Sequence, residues 1–177
     1  MTEQVVPQSL VMREMVPGDI KQVMRVELAC FSDPWSENAL LTEAMNPSAH
    51  YSVCCVGDEV VGFAGMWIIM DECHITNIGV LPEHRRKGYG ERLLIAILKE
   101  AIMRGANRAT LECRRSNFPA QQLYTKYDFA TVALRRGYYR DNNEDAVVMW
   151  VNDIHTPEYR QRLMRFSAEL DSVGAGE

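Results

Sequence analysis

The chain has 177 residues, 47% of them apolar and 24% charged, with a formal net charge of −5 at pH 7. Those totals fit a single globular domain with length enough to bury a core. They argue against nucleic acid as the main partner, because binding a phosphate backbone calls for a basic face. No apolar run approaches the about 18 to 20 residues that span a bilayer, and the polar opening Thr2-Glu3-Gln4 is no signal peptide, so a cytoplasmic protein without a membrane partner is expected.

Residues 1–9 read as a loose leader and Leu10 to Met15 as a first strand. Asp19 is placed to cap a helix whose apolar positions Ile20, Val23, Met24, Val26, Leu28 and Phe31 follow helical spacing. Ser32-Asp33-Pro34-Trp35 breaks that helix, and Ser36 caps a second one that Asn46-Pro47 stops. Two β-rich runs, His50 to Val56 and Glu59 to Met70, flank Gly57-Asp58, a hairpin signal. Cys73 to Val80 reads as a strand, and a long helix with the apolar stripe Leu93, Leu94, Ile97, Leu98, Ala101 and Ile102 runs to a glycine stop at Gly105. Arg108 to Arg114 is a strand, Phe118 to Lys126 a helix, and Phe129 to Tyr139 with Glu144 to Val151 a closing strand pair. The order β-α-α-β-β-β-α-β-α-β-β implies an α/β protein with a mixed sheet and helices on both faces. Residues 1–152 read as one domain. Residues 153–177 read as a helical extension, capped by Thr156 with Pro157 in its first turn, packed on its own domain through Tyr159, Leu163, Phe166 and Leu170, and frayed from Val173 onward.

Five cysteines without a C-x-x-C pair, and four histidines without metal spacing, predict neither disulfides nor a metal. The chemistry concentrates at Arg85-Arg86-Lys87-Gly88-Tyr89-Gly90, between a strand and a helix. A first helical turn leaves N–H groups unpaired, and the helix dipole adds roughly half a positive charge there. Glycine lets an anion approach that backbone, so the loop suits a phosphate. A Walker loop is absent, and a dinucleotide fingerprint fails because Leu93 stands where its third glycine belongs. The remaining spacing, Arg-x-x-Gly-x-Gly, competes with a plain basic turn that caps a core helix.

Downstream, Glu112 and Arg114 share one face of a strand, and Leu111 and Cys113 the other. Asn117 caps the next helix, and Tyr124 lies about two turns beyond it on roughly the same side. Leu-Glu-x-Arg-x-Ser-Asn followed by Ala120 to Tyr124 resembles the RimI-type protein N-terminal acetyltransferases, within the GCN5-related N-acetyltransferase (GNAT) superfamily, whose pyrophosphate loop is Arg-x-x-Gly-x-Gly. Asp33 to Glu37, Asn77 to Val80, Arg135 to Tyr139 and Glu144 to Ala146 are similar to that family's other blocks, in order over residues 33–150. The tail after about residue 152 is not covered.

The resemblance implies the GNAT fold, with a mostly antiparallel sheet, and acetyl-coenzyme A as co-substrate. It implies Glu112 as general base and Tyr124 as general acid. It places the thioester arm on the backbone of Ile78, Gly79 and Val80, the pyrophosphate on Arg85, Arg86, Lys87, Gly88, Tyr89 and Gly90, and a coenzyme contact at Asn117. Trp35, Tyr138 and Tyr139 fall on its acceptor side. The implied acceptor is a protein α-amino group, with the N-terminal alanine of a basic small-subunit ribosomal protein as first guess, and a monomer is favoured. A small-molecule amine, a lysine, or a coenzyme-binding module without turnover are the alternatives. On the residues alone, Glu112 competes with a solvated strand carboxylate, Tyr124 with helix packing, and Cys113 turns away from the Glu112 face, which disfavours an acetyl-cysteine route. One departure is Asp128, where the family commonly has glycine; a left-handed helix end is expected there.

Overall fold

The computed structural model describes residues 9–174. The leader assigned to residues 1–9 lies outside the described residues except for Ser9, as does the frayed end from residue 175 onward. Seven strands form one sheet in the order β1-β2-β3-β4-β5-β7-β6. They are β1 (Leu10–Glu14), β2 (Ala49–Val56), β3 (Glu59–Ile69), β4 (Glu72–Val80), β5 (Arg108–Arg114), β6 (Ala130–Tyr139) and β7 (Glu144–Val151). Every neighbour pair is antiparallel except β4 and β5. The sheet is therefore the mixed, mostly antiparallel one that the order of elements implies. Helices α1 (Ile20–Cys30), α2 (Glu37–Ala44), α3 (Tyr89–Met103), α4 (Phe118–Lys126) and α5 (Pro157–Gly174) cover it.

The two faces can be assigned from register. Phe63 pairs with Gly79 and Gly62 with Val80, and antiparallel partners share a face while consecutive residues alternate. A β-carbon built on Gly62 would meet Leu93 of α3, and one on Gly79 would meet Phe31 and Cys30 at the end of α1. Helix α1 and helix α3 therefore lie on opposite faces. The register shifts between Gly65 and Met66, where Thr76 of β4 is the extra residue. Such a bulge reverses the alternation beyond it, so Ile75 lies on the α3 face and Asn77 on the α1 face.

Local chemistry accounts for most boundaries. Ser36 Oγ accepts the Ala39 N–H, Asn117 Oδ1 the Ala120 N–H and Thr156 Oγ1 the Tyr159 N–H, each satisfying an orphan donor of a first turn. Gly57 turns the β2–β3 hairpin at φ 60°, and Asp128 takes the left-handed conformation expected of it, at φ 63°. Asp19 departs from expectation. It stands before α1 but makes no side-chain cap bond; its carboxylate accepts instead the Val16 N–H and both Nη groups of Arg13. The guanidinium, a charged two-pronged donor, outcompetes a single helix N–H.

All five cysteines are free thiols. Burial pushes Cys54 and Cys73 up to about 12, so both are core filling rather than nucleophiles. Among the described residues no helix is long and apolar enough to cross a membrane, and no group of three or more His, Cys, Asp or Glu could hold a metal.

Gly65 is the tightest point of the sheet. Its absent side chain lets the Tyr51 ring lie across β3, because a β-carbon there would sit 2.1 Å from Tyr51 Cε1. Gly65→Ala should lower stability by roughly 1 to 3 kcal/mol, as overpacking does. Thermal melting should show much less loss when the same change is made in a Tyr51→Ala background; equal losses in both backgrounds would contradict this packing.

Candidate active site

Strands β4 and β5 pair over three positions only, Glu72 to His74 against Arg108 to Thr110. β4 then runs on to Val80 and β5 to Arg114 without further ladder pairing between them. The two strands part, and the backbone groups that each turns toward the other are left without a ladder partner. Ile78, Gly79 and Val80 line the β4 side of this cleft. The Val80 carbonyl is already occupied, accepting from Cys30 Sγ at 3.2 Å and Arg85 Nε at 3.1 Å.

Beyond β4 the chain makes one 3-10 turn, Pro82–His84, and enters the basic loop. Arg86 sits at φ 63° and Gly88 at φ 77°, two left-handed residues that curl the loop into the start of α3. Gly88 holds the N-cap position and offers no side-chain acceptor. The first N–H groups of α3 therefore stay available to an external acceptor. Tyr89 stacks on His84, ring centroids 6.3 Å apart, and Gly90 keeps the first turn free of bulk. Among the described residues, Arg86 and Lys87 enter no ion pair or hydrogen bond, so both cations are available. The donor set of this loop fits a diphosphate.

The parted strands carry different chemistry on their two faces. Cys73 lies opposite Ala109 in the parallel pair and its Sγ reaches Met66 Sδ at 3.4 Å, which puts Ala109, Leu111 and Cys113 on the α3 face. Glu112 is on the α1 face, so the expected separation of Glu112 from Cys113 holds. Glu112 is half-buried, and its Oε1 pairs with Arg135 Nη1 at 3.1 Å; among the described residues its Oε2 makes no hydrogen bond. Tyr124 approaches from the α3 side. Helix α4 is pinned there by Lys126 and Tyr127, which both reach Glu91 of α3, at 2.6 and 2.7 Å. The Tyr124 ring packs against Phe129 at 5.9 Å, and its hydroxyl has no hydrogen-bond partner among the described residues. Burial raises its pKa, with smaller contributions from Cys113 and Tyr139. The Cys113 thiol is pushed up to about 11 by burial.

Tyr139 links the faces. Burial raises its pKa first, and Cys113, Arg114 and Glu112 all bear on it electrostatically. Tyr138 stands edge-on to it at 5.2 Å and is exposed. Trp35 sits beside Trp67, ring centroids 6.3 Å apart, on the α1 face. Asn117 lies at the mouth of the cleft with its Oδ1 engaged in the helix cap.

Two organising residues were given no role by the sequence reading. Arg114 donates to Asp141 at 2.9 Å, Glu144 at 3.2 Å, Asn142 at 3.1 Å and Ser32 at 2.8 Å, and its guanidinium lies 4.0 Å from the Tyr139 ring centroid. One side chain thus ties the β6–β7 hairpin and the α1–α2 connection to β5. Glu144 in turn accepts from the Ser116 N–H at 2.7 Å and is held near pKa about 2, by the Ser116 hydroxyl and N–H first. The sequence signal was that Arg114 belongs to the Leu-Glu-x-Arg-x-Ser-Asn block and shares the Glu112 face. The other is Glu27, fully buried although charged; its appearance among the interior positions Ile20, Val23 and Val26 was the available clue. Glu27 Oε1 accepts the Trp35 N–H at 2.9 Å, which fixes the entry of the Trp35 segment, while Oε2 is buried and unpaired.

Burial raises the Glu27 pKa above its ordinary 4.5, opposed by the Trp35 N–H. A raised folded-state value means that its contribution is fully present below about pH 4.5 and is lost as pH rises through the folded value. Glu27→Gln, which keeps an acceptor for Trp35, should therefore gain in melting temperature relative to the parent as pH rises from 4 to 8. A difference that stays flat with pH, or runs the other way, would contradict the buried-carboxylate account.

Residues 20–129 match the model of the Acetyltransferase (GNAT) family. A Bacillus subtilis (strain 168) protein provisionally named a ribosomal protein bS18-alanine N-acetyltransferase is 40% identical over 140 residues, 78% of this chain and 93% of that protein. The ribosomal protein bS18-alanine N-acetyltransferase of Escherichia coli (strain K12) is 31% identical over 133 residues, 74% of this chain and 89% of its own. The crystal structure of the ribosomal-protein-S18-alanine N-acetyltransferase from Escherichia coli superposes with a TM-score of 0.76 at 27% identity, covering 82% of this chain and 94% of that one.

Proposed function

This chain belongs to the GNAT acetyltransferase family, and from that membership we propose that it moves acetyl from acetyl-coenzyme A to the α-amino group of a protein, the N-terminal alanine of ribosomal protein bS18 being the first acceptor. The observation that carries the reading is the parting of β4 and β5 between a carboxylate on one face, Glu112, and a buried phenol on the other, Tyr124. The names of the relatives support the acceptor. The acidic balance of the chain, −5 at pH 7, suits a basic partner that works in the cytoplasm, and a monomer suffices for the chemistry.

In this proposal the diphosphate rests on the N–H groups of residues 86–90 with Arg85, Arg86 and Lys87 around it, and Asn117 offers its side-chain amide nitrogen to the coenzyme. The thioester then lies between the strands against Ile78, Gly79 and Val80, where strand N–H groups polarise its carbonyl. An α-amino group, pKa about 7.7 to 8.0, reaches the site mostly as ammonium. Glu112 Oε2, directly or through one water, takes its proton from the α1 face as nitrogen attacks. Trp35, Tyr138 and Tyr139 flank that approach. The departing thiolate is met from the α3 face by Tyr124. Burial makes the phenol a weaker acid, and burial also raises the neighbouring Cys113 thiol to about 11, so a thiolate released there is made more basic by the same surroundings. Cys113 itself is a poor nucleophile at that value, which favours direct transfer over an acetyl-cysteine.

The test is a peptide panel incubated with acetyl-coenzyme A and read by mass spectrometry. A single acetyl on the α-amine of an N-terminal Ala peptide is expected; acetylation confined to lysine, to polyamines or to nothing would overturn the acceptor assignment or the turnover itself. Tyr124→Phe should reduce kcat by roughly 10²- to 10⁴-fold with coenzyme affinity nearly unchanged. Glu112→Gln should remove the ascending limb of the pH–rate profile, and an unaltered profile would take Glu112 out of the base role.

A further inference from the structure

Helix α5 begins at Pro157, beyond residue 129 where the family match ends, yet its final turns reach the basic loop. A β-carbon built on Gly88 would lie 3.2 Å from Leu170 Cδ2, so Leu170 touches the backbone at the residue that turns the loop into α3. Arg92, in the opening turns of α3, donates from Nη1 to Asp171 at 2.5 Å and from Nη2 to the Leu170 carbonyl at 2.8 Å. Its side chain is only 17% exposed. Glu91 is tied as well, through Lys126 and Tyr127, and those two pack on Phe166 of α5 at 4.6 and 5.2 Å. Both charged side chains at the start of α3, Glu91 and Arg92, are therefore fixed by contacts that lead to α5.

The physics gives this contact a purpose. A cation near a helix N-terminus is disfavoured by the dipole, and Asp171 together with the C-terminal carbonyl of Leu170 compensates Arg92. Left-handed Gly88 is the most mobile kind of backbone, and Leu170 limits it. Arg86 and Lys87 remain available for an anion, while Arg92 is committed to holding the amides that would bind it. Affinity for an anion rises when its binding amides are ordered in advance.

We propose that the last turns of α5 are a coenzyme-positioning element, in which Leu170 and Asp171 hold the 85–90 loop and the start of α3 in the geometry that grips the diphosphate of acetyl-coenzyme A. The proposal rests on the reading of that loop as the diphosphate site. Leu170 and Asp171 touch neither the thioester nor the acceptor; they act through Gly88 and Arg92.

The test compares two donors, acetyl-coenzyme A and S-acetylpantetheine, which carries the thioester but no diphosphate. In the full-length protein, Leu170→Ala and Asp171→Ala should each raise the KM for acetyl-coenzyme A by roughly 3- to 10-fold, about 0.7 to 1.4 kcal/mol in binding. kcat should stay near the parent value, and kcat/KM for S-acetylpantetheine should not change. Asp171→Glu should recover most of the loss. If both donors suffer equally, α5 is only general support for the fold and the proposal is overturned, as it is if neither variant alters the KM. Arg86→Ala with Lys87→Ala serves as the control on the premise. If that pair leaves the acetyl-coenzyme A KM unchanged, the loop is not the diphosphate site; if it raises the KM while the α5 variants do not, only the role of α5 falls.

Discussion

The site depends on one pairing that stops early. Among the described residues β4 and β5 are the only parallel neighbours in the sheet, and their ladder covers three positions before the strands separate. A parallel pair needs a crossover between its strands, and here that crossover is the basic loop and α3. The same connection that makes the pair parallel therefore delivers a helix start with uncapped N–H groups beside the gap. The bulge at Thr76 falls where β4 leaves the paired region, and by reversing the side-chain alternation it returns Ile78 and Val80 to the α3 face. Backbone groups lost to the sheet by the separation are the groups that the proposed function gives to the thioester arm.

Under the proposed function, the gap is what lets two side chains of different character meet one substrate. Glu112 and Tyr124 stand on opposite faces of the sheet, and a continuous ladder would isolate them. Where the strands part, a group lying between them is open to both. Glu112 keeps a charged partner in Arg135, so its carboxylate is supported on the open α1 face. Tyr124 is held among Phe129, Cys113 and Tyr139, surroundings that keep it neutral. Arg114 then fastens the β6–β7 hairpin and the Ser32 segment to the end of β5, and a double-pronged guanidinium is suited to joining several acceptors at once.

Much of this was legible in the sequence, because it is local. Caps at Ser36, Asn117 and Thr156 are side-chain bonds three residues long, the Gly57 turn and the Asp128 helix end are single-residue conformations, and strand alternation alone separates Glu112 from Cys113. The loop at residues 85–90 could be singled out as a candidate because its chemistry lies in consecutive residues. What could not be read joins distant parts of the chain. Arg114 finds Ser32 and Asp141, Arg92 finds Asp171, and Glu27 is buried under the Trp35 segment; no periodicity encodes those choices. Asp19 shows the same limit at short range. Its type and position suit a helix cap, but Arg13, brought close by β1, is the stronger partner.

The most direct test of the account is a crystal structure with coenzyme A bound. The account predicts the diphosphate on the main-chain N–H groups of residues 86–90, the pantetheine arm along Ile78 to Val80 between the parted strands, and the sulfur within hydrogen-bonding reach of the Tyr124 hydroxyl. A diphosphate bound elsewhere, or a sulfur on the α1 face out of reach of Tyr124, would contradict it.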